Sequence, residues 1–163
     1  MTERTLVILK PDGVEQGLET VVYHEISGLD LRIVQRREMR LSRKIVTEHY
    51  AHHADKPFFP RLCDYMTRGP VVAMVFEGPA AVIRVRELVG VTDPAKAAPQ
   101  TLRARYGRRV PGGAVENVVH ASENPEEAEI EIRRFFAAPP NWWERLSRRI
   151  FVRMRGGDRL QRR

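Results

Sequence analysis

The sequence predicts an α+β domain, an antiparallel βαββαβ sandwich with added helices. Three observations carry that expectation. At 163 residues the chain is the size of one domain, long enough to bury a core without disulfides or a structural metal. The apolar runs TLVIL, closed by KPDG, and PVVAMVFEG, closed by proline, read as buried strands. Around them, segments with the helical period of about 3.6 alternate with segments of the strand period of about 2.

The elements follow in order. Thr5 to Leu9 is the first strand, and Leu18, Val21, Val22 and Ile26 mark a helix over 17–26. Leu31 to Leu41 alternates in part, like a strand with one wet face. Ser42 caps a helix running to about His53, and Asp55 with Pro57 opens another through Leu62 and Met66, ending near Gly69. After the PVVAMVFEG strand, Pro79 starts a helix carrying Val82, Val85, Leu88 and Val89, closed by Gly90. A Pro-rich and Arg-rich loop runs from about Val91 to Ala114. Asn117-Val118-Val119 is the next strand. Behind it Asn124 caps a helix with Pro125 at its first position and Glu127 as the capping-box partner.

Composition narrows the class. With 42% apolar and 30% charged residues the chain reads as a soluble globular protein, and no apolar run nears the roughly 20 residues of a membrane-spanning helix. The N-terminus lacks the parts of a secretory signal, so the cytoplasm is the expected compartment. Cys63, the only cysteine, excludes an internal disulfide and is read as a small core residue. Net charge is +7, but residues 141–163 hold eight arginines against Glu144 and Asp158, so about +1 is left for the rest. The basicity belongs to the tail.

Local chemistry singles out His120. A strand followed by His120, Ser122 and a helix start at Asn124 places an imidazole and a hydroxyl near a helix N-terminus, which favours anions such as phosphate and disfavours imidazolium. A P-loop, an HExxH helix and a GxSxG elbow are all absent from the sequence. His52 and His53 have no neighbours at ligand spacing and read as a solvated pair.

The segments LVILKPDGV, EHYAHHADKPFF, YMTRGPVVAMVFEG, RELVGVTDPAKAAPQTLR and NVVHASEN occur in an order that resembles nucleoside diphosphate kinases. The match runs from about residue 3 to 136. The resemblance implies a ferredoxin-like sandwich and transfer of the γ-phosphoryl group of a nucleoside triphosphate to a nucleoside diphosphate, with Mg²⁺ held mainly by the nucleotide phosphates. It also implies a phosphohistidine at His120, ping-pong kinetics and a homo-oligomer. By the same resemblance Lys10, Arg86 and Arg103 grip phosphates, and Tyr50, Thr92 and Asn117 donate to phosphates and sugar. Ser122 and Glu131 support the histidine, and Phe58 and Leu62 clamp the base.

Departures from the family pattern are Gln16 for arginine, Ala121 for glycine, Glu123 for aspartate, and Gln100 and Ala104 for glycines beside Arg103. The segment YGRRVPGGAVEN is a few residues longer than its counterpart. The division expected is a kinase-like domain at 1–138 and a basic amphipathic tail at 139–163, with Trp143, Leu146, Ile150 and Met154 on one side of a helix begun at Asn141. The tail suits an anionic membrane, nucleic acid or a partner subunit, or packing of its tryptophans on its own domain. Two other functions compete with the kinase: a nucleotide-binding or regulatory module of the same fold with little turnover, and a binder of nucleic acid or membrane surfaces through the tail.

Overall fold

The computed structural model describes residues 2–111 and 115–136. Its centre is β1 (Thr2–Leu9), whose Leu6, Val7, Ile8 and Leu9 are fully buried. The unbroken apolar run is explained by the strand's position. β1 lies between β3 (Pro70–Pro79) and β6 (Val119–Ala121) in an antiparallel sheet of order β2-β3-β1-β6, and helices cover it on both faces. Val7 and Leu9 pack with α2 (Glu19–Ser27) and α5 (Ala81–Val89), the crossover helices of the βαββαβ unit. Leu6 and Ile8 pack with the added helices α3 (Arg43–His49) and α4 (Phe59–Thr67) and with α7 (Pro125–Phe136). Cys63 lies buried in that second core.

The outer strand β2 (Arg32–Arg40) carries Arg32, Arg36, Arg37 and Arg40, all exposed, and is interrupted by a register shift between Ile33 and Gln35. Charge and a bulge of this kind discourage further strand pairing. Among the described residues no helix is long and apolar enough to cross a membrane.

Several local expectations change. KPDG is no simple turn: Pro11 opens the short helix α1 (Pro11–Glu15), its fixed φ already helical. α3 stops at His49, and Ala51–His53 forms a 3₁₀ turn. α4 begins at Phe59, two residues after Pro57. Pro79 ends β3, left-handed Ala80 (φ 50°) makes the corner, and α5 starts at Ala81. The segment expected as a loop over 91–114 contains a 3₁₀ turn at Pro94–Lys96, α6 (Leu102–Tyr106), capped by Thr101, and β4 (Arg108–Arg109), paired with β5 (Val115–Glu116). Finally, β6 begins at Val119, so His120 sits within the strand rather than just beyond it. The basic helix expected over the tail lies outside the described residues.

Candidate active site

In an antiparallel pair, residues directly opposite share a face. His120 lies opposite Ile8 and therefore faces α3 and α7. Its Nε2 stands 3.0 Å from Glu131 Oε1, in ion-pair contact but off the line of a full hydrogen bond. Ser122 Oγ donates to Glu131 Oε2 at 2.6 Å and accepts from Leu6 N at 3.0 Å, which fixes the carboxylate to the sheet. With a carboxylate at Nε2, the imidazole proton belongs on Nε2 and the lone pair on Nδ1. The partner on α7 is thus a side chain in the body of the helix, not its N-terminus.

Burial holds His120 below the usual imidazole pKa, against the upward pull of Glu131; Lys10 and Arg103 add to the depression. Burial raises Glu131, yet His120, Ser122 and Arg134 together carry it below the usual carboxylate value. The pair is a neutral imidazole beside an anionic carboxylate.

Lys10, the first residue after β1, is 6% exposed, and its Nζ donates to Asn117 Oδ1 at 2.6 Å. Burial first, then Arg103, lowers the amine to about 7, against Asp12. Asn117 Nδ2 donates to Thr92 O at 2.9 Å, which brings the loop after α5 to the same place. Arg103 donates to Val119 O (2.9 Å from Nη2) and Gly90 O (2.8 Å), which leaves one N–H on each terminal nitrogen of its five for a ligand. Burial, with Arg86 nearby, lowers Arg103 to about 10. Arg86 Nη1 reaches Ser122 O at 3.5 Å and is otherwise exposed.

The backbone before the nucleophile is strained. Val118, fully buried and β-branched, has φ 56°, and Val119 N donates to Asn117 O at 2.6 Å, closing a γ-turn. Asp12 holds it: Oδ2 accepts from Val118 N (3.1 Å) and Oδ1 from Tyr65 Oη (2.6 Å). Lys10 N donates to Val118 O at 2.8 Å. A Cβ on Gly13 would lie 2.8 Å from that same carbonyl, so only glycine fits there.

Tyr50, 7% exposed, presents its ring to His120 (centroids 6.2 Å, 88°) and stacks on His53 (6.4 Å, 13°). His53 in turn touches Phe58 (5.3 Å). Phe58 is 48% exposed at the start of α4, and Leu62 is half-buried one turn on. This aromatic wall leads outward from His120, and Phe58 and Leu62 stand at its far end rather than against the polar cluster.

The sequence reading missed His49. Buried at the end of α3, its ring lies 4.5 Å from that of His120. Asp12, Gly13 and Tyr65 were missed as supports of the Val118 turn. The aspartate and glycine of KPDG were the only local signal.

Among the described residues, His49, His120 and Glu131 place potential metal-ligand atoms within 4.8 Å of one another. Two imidazoles and one carboxylate are not the octahedral oxygen set that Mg²⁺ requires. Lys10, Arg103 and Arg134 add positive charge around them. The site therefore suits phosphate oxygens better than a bare dication.

Ala121 has no positive φ and packs against the core opposite Val7, so its methyl group is accommodated without backbone strain. The described ends of the lengthened segment, β4 and β5, pair as a short ribbon held by side chains. Buried Glu116 accepts from both Arg68 and Arg108, and Arg109 pairs with Asp93 beside Thr92.

Comparison with known proteins agrees with this geometry. The nucleoside diphosphate kinase family model matches residues 3–139. The nucleoside diphosphate kinase of Archaeoglobus fulgidus is 49% identical over 135 residues, 83% of this chain and 87% of that protein. That of Symbiobacterium thermophilum is 45% identical over 150 residues, 91% of this chain and 97% of that protein. The solved structure of the Halobacterium salinarum nucleoside diphosphate kinase in complex with CDP superposes with a TM-score of 0.78 at 42% identity, covering 85% of this chain and 90% of that one. On the strength of the family model and these relatives, the chain belongs to the nucleoside diphosphate kinase family.

Proposed function

We propose that the chain moves the γ-phosphoryl group of a nucleoside triphosphate to a nucleoside diphosphate through His120. The observation that carries this reading is the series Ser122–Glu131–His120, since a carboxylate at Nε2 favours the proton there and a lone pair on Nδ1 for attack. As the N–P bond forms and the bond from phosphorus to the bridging oxygen breaks, the diphosphate leaves. Glu131 opposes the positive charge growing on the ring. A second diphosphate then attacks the phosphorus with a terminal oxygen and restores neutral His120. One nucleotide pocket serves both half-reactions.

Lys10, Arg103 and Arg86 neutralise the phosphate oxygens, while Asn117, Thr92 and Tyr50 donate to phosphates and sugar. Phe58 and Leu62 provide the apolar surface on which any base can stack. Mg²⁺, held mainly by the nucleotide phosphates, would arrive with the nucleotide and would offset part of their charge. Copies of the chain assemble as a homo-oligomer. The domain at 1–138 acts in the cytoplasm, where the reduced Cys63 is at home.

Incubation with Mg²⁺ and γ-labelled ATP should label the wild type in an acid-labile way, and GDP should remove the label. An unlabelled wild type, or a His120→Ala variant that transfers at the wild-type rate, would sink the proposal.

A further inference from the structure

His49 and Arg134 have no part in the reaction described above, yet they meet the carboxylate on which it depends. The His49 side chain is 1% exposed, wedged edge-on between the rings of His120 (4.5 Å), Tyr50 (4.5 Å) and Phe135 (5.1 Å). Arg134, three residues after Glu131 on the same side of α7, places Nη1 3.3 Å from His49 Nδ1. A guanidinium can only donate, so Nδ1 must be the lone-pair nitrogen and the His49 proton must sit on Nε2. That Nε2 is buried and, among the described residues, has no hydrogen-bond partner. A buried N–H left without an acceptor calls for a reason.

The reason lies on the other side of the ring. His49 Nδ1 is 3.7 Å from Glu131 Oε1, the same oxygen that stands 3.0 Å from His120 Nε2. In the alternative tautomer, His49 would offer Nδ1–H to that oxygen and compete with His120 for it. Glu131 Oε2 is already taken by Ser122. We propose that Arg134, acting through His49, is a positioning residue that reserves Glu131 Oε1 for His120. Three further facts fit. Burial, with His120, Arg134, Lys10 and His52, holds His49 far below the usual imidazole pKa, so it adds no charge of its own. The Arg134 charge also favours the ionised form of Glu131. A neutral His49 leaves the only growing cation in the pocket on His120, where the carboxylate meets it.

This inference rests on the reading of His120 as phosphoryl carrier, and its test separates the two. With ¹⁵N-labelled histidine, long-range ¹H–¹⁵N spectra report the tautomer of each ring. Wild-type His49 should be the Nε2–H form. Arg134→Met, which keeps the stem and removes the donors, should switch His49 to Nδ1–H. It should also slow single-turnover phosphorylation of His120 by about tenfold, the worth of one competed hydrogen bond, with nucleotide affinity unchanged. Arg134→Lys should restore most of both. In a His49→Phe background, Arg134→Met should have no further effect on the rate.

An unchanged His49 tautomer in Arg134→Met overturns the proposal. So does a rate loss of equal size with and without His49. If wild type is never phosphorylated, the carrier role fails while the tautomer spectra still decide whether Arg134 sets the state of His49.

Discussion

Replacing Lys10 by methionine should make the protein more stable and inactive. The amine is almost wholly buried, and its pKa falls from 10.5 to about 7. At pH 7 a gap of this size corresponds to about 4 kcal/mol of folding free energy forfeited to keep an ionisable amine out of water. Methionine removes that penalty but strips Asn117 Oδ1 of its donor, a loss of about 1 kcal/mol. The net gain is therefore about 3 kcal/mol, and with a urea dependence of roughly 1–3 kcal/mol per molar the unfolding midpoint should rise by about 1 M or more. The sign reverses the usual expectation for a lost polar contact.

The pH dependence isolates the cause. Because the folded pKa lies below the unfolded one, the penalty is complete below about pH 7 and is relieved as pH rises toward 10.5. Wild-type stability should therefore climb through that window relative to the variant, and the advantage of methionine should fade by about pH 10. Urea melts at matched protein concentration at pH 7, 8.5 and 10 measure it. An unchanged or lower midpoint for the variant at pH 7, or an advantage that does not vary with pH, would refute the reasoning.

The same amine links binding to protons. Phosphate beside Lys10 favours its charged form, so binding of a nucleoside diphosphate at pH 8 should take up close to one proton. Calorimetry in buffers of different ionisation enthalpy reads this directly, and no buffer dependence would count against it. Gly13→Ala should destabilise the fold by roughly 1–3 kcal/mol, because its Cβ would meet Val118 O at 2.8 Å. It should also slow phosphorylation of His120 by displacing the γ-turn; thermal melts and single-turnover assays report the two effects. Truncation after Pro140 should leave phosphoryl transfer intact and abolish salt-sensitive binding to DNA or anionic vesicles. Unchanged binding would remove the tail from consideration.

How legible the molecule was depends on where each signal resides. Strands and crossover helices could be read because Leu6 to Leu9, Val71 to Phe76 and the spaced apolar residues of α5 state their burial in sequence. α6 and the ribbon could not, because Thr101, Leu102 and Glu116 sit among prolines and arginines whose composition resembles a loop. The turn at Val118 was invisible for a stronger reason: valine argues against a positive φ, and the restraint comes from Asp12, more than a hundred residues away in sequence.

At the site, motif matches found Lys10, Arg103, Asn117, Ser122 and Glu131, which the fold gathers around His120. They did not find His49 and Arg134, whose meaning exists only once the end of α3 lies against α7. Neutrality of His120 was anticipated from the helix N-terminus; that burial, Lys10 and Arg103 lower its pKa was not foreseen.

Glu116 gives the ribbon at β4 and β5 a further significance. Its two arginine partners clamp the residue just before Asn117, and the register pair Arg109–Val115 closes the ribbon above it. The clamp thereby ties the amide that receives Lys10 to the end of α4 and to β4.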